Sequence, residues 1–182
     1  MTTQTVQNTF ADGTEFAQGH QYCFQIGDEI EWPGVILAEP GAVRWRYTTD
    51  PKRSPWSPAN LFGKPEFVVT DSDGRETLRV RRASHFPPRF EMTEQGQTVG
   101  SISLRTVLRN RYTLQLRDEP TWTFHMPLFT VYFRAESTAG REVLVRVGPS
   151  KKQWNLLAEP GADSSRLLCG LAFIHREWWS YS

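Results

Sequence analysis

Through its middle the chain alternates apolar and polar residues with a period of two. Phe67-Val68-Val69-Thr70 and Thr77-Leu78-Arg79-Val80-Arg81 flank Asp71-Ser72-Asp73-Gly74. Strand side chains point to opposite faces in turn, and Asp-Gly suits a tight turn, so this stretch predicts a hairpin. The plan repeats in Phe90-Glu91-Met92-Thr93, the turn Glu94-Gln95-Gly96-Gln97, and Val99-Gly100-Ser101-Ile102-Ser103-Leu104. Tyr112–Leu116, Trp122–Met126, Phe129–Phe133 and Val143–Val147 carry the pattern of further strands. Upstream, weak alternation begins at Tyr22. A short apolar stretch, Val35-Ile36-Leu37, ends at the Pro-Gly turn of Glu39-Pro40-Gly41, and Val43-Arg44-Trp45-Arg46-Tyr47 then alternates as a half-buried strand should. Residues 50–65 carry four prolines and no period, which predicts a loop, and residues 1–20 are a polar, loose segment. The remainder, 21–182, reads as one domain.

The pattern changes near the end. Asp163 or Ser164 can cap a helix, and Leu167-Leu168-Cys169-Gly170-Leu171-Ala172-Phe173-Ile174 follows without a polar face. His175 and Arg176 then lie toward the end that the helix dipole makes negative. Trp178 and Trp179 come next, placed to seat the helix end or to act as interfacial anchors. A helix apolar on all sides must be buried on all sides or lie in a bilayer. Spanning a bilayer takes about 20 apolar residues, far more than this run supplies. The strands must therefore wrap the helix. The fold class expected is mostly β: a closed antiparallel β-barrel enclosing a C-terminal helix over about 163–178.

This hairpin meander closed by an apolar helix resembles the Tubby-like C-terminal superfamily, nearest to the plant LURP-one-related proteins and the phospholipid scramblases. The resemblance is carried by Phe67 through Gly74, by Gln97-Thr98-Val99-Gly100-Ser101-Ile102, by Trp154, and by Asp163 through Ile174. It implies a barrel of about twelve strands around the last helix, covering roughly residues 20–180. Known members bind phosphoinositides, move lipids or have no assigned activity. The Cys-rich palmitoylation region and Pro-rich arms of scramblases have no convincing counterpart in this sequence, which sets scrambling aside.

Charge sharpens the picture. The net charge is +1, which argues against a general nucleic-acid coat. Its distribution is uneven. Residues 1–43 hold six acids (Asp12, Glu15, Asp28, Glu29, Glu31, Glu39) and no Lys or Arg. Residues 75–117 hold nine Arg against three Glu. Alternation puts Arg79 and Arg81 on the face opposite Leu78 and Val80. Arg111 and Arg117 fall opposite Tyr112, Leu114 and Leu116, and Arg109 joins them if parity holds through Asn110. Arginine presents a rigid fork of donors suited to phosphate, so these five could form a site for anionic lipid headgroups. The alternatives are a solvated or acid-paired outer wall, and a structural or protein-interaction module whose arginines pair with the acidic N-terminal part. A small molecule in the barrel mouth ranks behind both.

Other chemistry is sparse. Cys23 and Cys169 make no disulfide framework, and His20, His85, His125 and His175 show no metal-ligand spacing. Asp71-Ser72-Asp73-Gly74 lacks the ligand pattern of a calcium loop and reads as a turn. No nucleophile elbow, phosphate loop or dinucleotide fingerprint is present, so neither a cofactor nor an enzyme is expected. Without a signal peptide or myristoylation glycine, the expected setting is cytoplasmic, with peripheral contact to an anionic membrane.

Overall fold

The structure, a computed structural model, describes residues 20–25, 34–38, 42–49, 66–84, 87–104, 111–126, 132–148 and 153–180. Twelve strands precede one helix: β1 (His20–Gln25), β2 (Gly34–Ala38), β3 (Ala42–Thr49), β4 (Glu66–Asp71), β5 (Glu76–Ser84), β6 (Arg89–Glu94), β7 (Gln97–Leu104), β8 (Arg111–Leu116), β9 (Trp122–His125), β10 (Tyr132–Ser137), β11 (Glu142–Val147), β12 (Gln153–Ala158) and α1 (Ser165–Ser180). Each strand runs antiparallel to its sequence neighbours, and β1 pairs with β12 to close the barrel. In that seam His20 lies opposite Ala158 and Phe24 opposite Trp154.

The alternation holds where it was clearest. Phe67, Val69, Leu78, Val80, Phe90 and Met92 all point inward and are buried. The first hairpin closes as Asp-Gly implies: the Asp71 carboxylate accepts from the amides of Asp73 and Arg75, each at 2.9 Å. In the second, Gln95 and Gly96 both have positive φ, 49° and 80°. A two-residue turn of this hand needs positive φ at both positions, and Gly96 meets that demand without a Cβ clash.

Two strands depart from the expected pattern. β10 runs Tyr132–Ser137 rather than Phe129–Phe133, and residues 129–131 lie outside the described residues. Its inward positions beyond Phe133 are Ala135 and Ser137, too small or polar to give a strong apolar signal. β12 is a strand that the sequence pattern does not announce. Trp154 and Leu156 alternate inward, but Leu156, Leu157 and Ala158 are all buried, which breaks the period of two. The loose segment gives up His20 to β1, while residues 1–19 and the loop 50–65 lie outside the described residues.

The helix begins after a bridge from the barrel rim. Ser164 Oγ accepts the Leu167 amide at 3.2 Å, the bond of an N-cap residue to the third helical position. The same hydroxyl donates to the Glu119 carboxylate at 2.6 Å. Asp163 does not cap. Its carboxylate accepts from the Tyr22 hydroxyl at 2.8 Å and pairs with His20 Nδ1 at 2.6 Å, tying β1 to the helix start.

From Leu167 to His175 the helix is buried on every side. Phe173 meets Phe67 of β4 and Phe90 of β6 edge-on, at 5.4 and 4.7 Å between ring centres. His175 stacks on Trp154 of β12 at 4.4 Å and on Phe24 of β1 at 6.5 Å. Leu114 of β8 and Met92 of β6 crowd Gly170. Contacts to strands spread around the ring place α1 in the lumen. The side chains of Trp178 and Trp179 lie outside the described residues. No helix among the described residues is long and apolar enough to cross a membrane.

Candidate functional site

The outer face of the barrel carries the arginines, and the strand register decides which of them can act together. Arg79 and Arg81 on β5 point outward as expected, but both are committed to neighbouring acids. Arg79 Nη1 reaches Glu66 Oε2 at 2.5 Å, and its Nε and Nη2 form a fork onto the two oxygens of Glu76. Arg81 Nε meets the other oxygen of Glu66 at 2.9 Å. Two guanidiniums against two carboxylates leave this cluster without net charge. The hydrogen bond from Arg79, working against slight desolvation, holds the Glu76 carboxyl below its usual range. Glu66 lies directly opposite Arg81 across the β4–β5 pair, so the pairing follows from register. The acids that pair with these arginines are thus strand neighbours. The N-terminal acids Asp12, Glu15, Asp28, Glu29, Glu31 and Glu39 lie outside the described residues.

Arg111 and Arg117 belong to β8 and the turn after it, and both are exposed. β8 is three strands from β5 around the ring, about 14 Å at the usual strand spacing. The expected five-arginine patch therefore divides in two. Arg109 lies outside the described residues.

Between these groups lies an open groove of about 1180 Å³ on the outer wall of β6, β7 and β8. Its shape follows from side-chain size. Ser101 and Ser103 of β7 point outward and are short, while Arg89 and Glu91 flank them on β6 and Gln115 and Arg117 on the β8 side. The register aligns Arg89, Ser103 and Thr113 in one row and Glu91, Ser101 and Gln115 in the next. Arg117 closes the far end, its amide bonded to the Val99 carbonyl at 2.8 Å. The one carboxylate lining the groove, Glu91, accepts from the Thr98 hydroxyl at 2.6 Å. A floor of hydroxyls with a guanidinium toward each end can receive an anion through charge-assisted hydrogen bonds. Sequence reasoning passed over Arg89, although Arg89-Phe90-Glu91-Met92 alternates and Phe90 and Met92 are buried.

The histidines fall where strand parity and helix burial put them. His125 is exposed on β9, and His175 is fully buried in the lumen. His20 is taken up by Asp163, and His85 lies outside the described residues. Among the described residues no cluster of three or more His, Cys, Asp or Glu side chains could hold a metal. Cys23 and Cys169 are free thiols, and burial pushes the Cys169 thiol up to about 12.

Comparison of the chain with protein-family models, with curated proteins and with solved structures returned no match.

Proposed function

We propose that this barrel is a binding module that docks on anionic phospholipid surfaces, taking a phosphoinositide-like headgroup in the β6–β8 groove. Arg89 and Arg117 are the principal contacts, and Arg111 extends the basic wall along β8. Arg79 and Arg81, neutralised by Glu66 and Glu76, serve the barrel wall rather than the ligand. The observation that carries this reading is the groove itself: a hydroxyl-floored trough with an arginine toward each end and its single acid already bonded to Thr98. The sequence resemblance to a superfamily with phosphoinositide-binding members is a second support.

Near an anionic leaflet each arginine contributes about 1 kcal/mol, and the attraction decays within a Debye length of about 8–10 Å. Three arginines give about 3 kcal/mol, or roughly a hundredfold preference for anionic over neutral vesicles at low salt. Vesicle flotation with phosphoinositide-containing and neutral liposomes, at low and physiological salt, tests this. Arg89→Glu with Arg117→Glu should abolish flotation. Arg79→Gln with Arg81→Gln should leave it largely intact. Absence of flotation at either salt, or undiminished flotation of the Arg89/Arg117 variant, overturns the proposal.

A further inference from the structure

Arg81-Arg82-Ala83-Ser84 ends β5. It is the one place in the chain where arginines stand both two and three residues before a Ser or Thr. Serine kinases that read charge select this spacing, because acids in the kinase cleft receive the two guanidiniums ahead of the hydroxyl.

The structure holds this end of β5 lightly. Pairing with β4 stops at Glu66 opposite Arg81, so residues 82–84 extend past it. On the other side the β5–β6 register shifts between Arg82 and Ser84, and Ala83 is the extra, exposed residue. Arg81 is exposed, and its pair with Glu66 is of the weak, solvent-screened kind. Arg82 lies over the Phe90 ring at 5.4 Å, and its Nε has no acceptor among the described residues. The Ser84 hydroxyl donates to the Pro87 carbonyl at 2.6 Å, at the surface.

The bulge also decides where a phosphate on Ser84 would go. It sets Ser84 directly opposite Arg89, and both residues line the β6–β8 groove. Side chains so paired start about 5 Å apart. A phosphate at that distance takes roughly one to three charge-assisted hydrogen bonds from a guanidinium.

We infer that Ser84 is a phosphorylation site for an arginine-directed serine kinase, and that its phosphate occupies the Arg89 end of the groove and shuts out an anionic headgroup. The Ser84 oxygen attacks the γ-phosphorus of ATP and forms the new O–P bond. The bond from that phosphorus to the bridging oxygen breaks. ADP leaves with the electron pair, and the hydroxyl proton passes to the kinase's base. The exclusion of headgroups rests on the proposed lipid docking, whereas the modification and its contact with Arg89 do not. Phosphoserine carries about −1.5 to −2 charges at pH 7, enough to cancel two of three arginines and cut a hundredfold preference for anionic vesicles to about fivefold.

The test treats the full, folded chain with ATP, Mg²⁺ and a purified serine kinase that requires arginines two and three residues before its serine. Mass spectrometry should map one phosphate to Ser84 and none to that position in Ser84→Ala. Arg81→Gln should slow the reaction about tenfold, the loss of one charge-assisted bond. Modification of Ser84 only after heat denaturation, or at an equal rate in Arg81→Gln, overturns the site. ³¹P titration then reads the contact. Beside a guanidinium the phosphate should titrate below its ordinary value of about 6, and Arg89→Gln should raise it back. A midpoint that Arg89→Gln leaves unmoved overturns the placement. Flotation on phosphoinositide-containing liposomes should weaken on phosphorylation. Undiminished flotation of the phosphorylated chain overturns the exclusion and leaves the docking reading standing. If the unmodified chain itself does not float, docking and exclusion fall together, while the mapped phosphate and its titration still decide the site.

Discussion

Gly170 gives the sharpest test of the helix's place in the lumen. A Cβ at this position would lie 2.9 and 3.2 Å from the two terminal methyls of Leu114 and 3.6 Å from Met92 Cε. Both neighbours are fully buried, so their methyls have little room to retreat. Replacing Gly by Ala inside a helix gains about 1 kcal/mol from backbone entropy alone. Forcing a methyl into a filled core costs about 1–3 kcal/mol. The sum for Gly170→Ala is a loss of between zero and about 2 kcal/mol. Were the same helix packed against the outside with Gly170 toward solvent, only the gain would remain. The two placements therefore differ in sign. Urea unfolding followed by tryptophan fluorescence measures the difference. With a slope of about 1–3 kcal/mol per molar, a loss of 1 kcal/mol lowers the midpoint by about 0.3–1 M. Phe173→Ala, which removes the ring lodged between Phe67 and Phe90, sets the scale at about 3–5 kcal/mol. A midpoint that rises in Gly170→Ala refutes the enclosed helix.

Three further outcomes follow from named contacts. Ser164→Ala removes both the cap on Leu167 and the anchor to Glu119, and should cost about 1 kcal/mol in the same denaturation experiment, whereas an unchanged midpoint would mean the cap carries no stability. Burial of Asp163 works against its charge, but hydrogen bonds from His20 and Tyr22 outweigh it and hold its carboxyl below the usual range. A depressed folded-state pKa gives stability that is fully present above the unfolded value near 4 and lost as pH falls through the folded one. Thermal melts should show wild type more stable than Asp163→Asn at pH 6, with the gap narrowing below about pH 4, and a constant gap would contradict the linkage. Cys169 is sealed in the lumen with its thiol raised to about 12, so a thiol reagent at pH 8 should modify it only after unfolding. Rapid labelling of Cys169 in the native protein would show that the lumen opens.

The fold was legible because its two periods are strong and its turns are explicit. Asp73-Gly74 and Gln95-Gly96 marked hairpins, and an eight-residue stretch without a polar face demanded an enclosure. β12 was illegible because Leu157 is buried on the side where alternation expects a polar residue. Strand parity found the outward arginines but could not tell which had partners. That depends on register across the sheet, and register shifts by a bulge between Val69 and Thr70 in the β4–β5 pair. Glu66 opposite Arg81 is a consequence of that register, invisible in a one-dimensional reading. The groove was hidden for a similar reason, since it arises from short serines on one strand flanked by long residues on two others.

The seam between β1 and β12 sets an order of events for the folding chain. Every other pairing in the ring joins strands that are neighbours in sequence and can zip locally. The seam joins His20 to Ala158, and the helix that fills the ring follows β12 in the chain. A ring that shut first would leave its apolar inner wall facing water, and α1 could then enter only lengthwise through a mouth of the barrel. Docking of α1 onto the meander while it is still an open ribbon with two unpaired edges avoids that exposure. Contacts this distant in sequence pay their closure entropy last, so seam formation is the slow step. During that interval the exposed edges and the apolar inner wall are the protein's greatest exposure to aggregation, and a bound chaperone would find its target there.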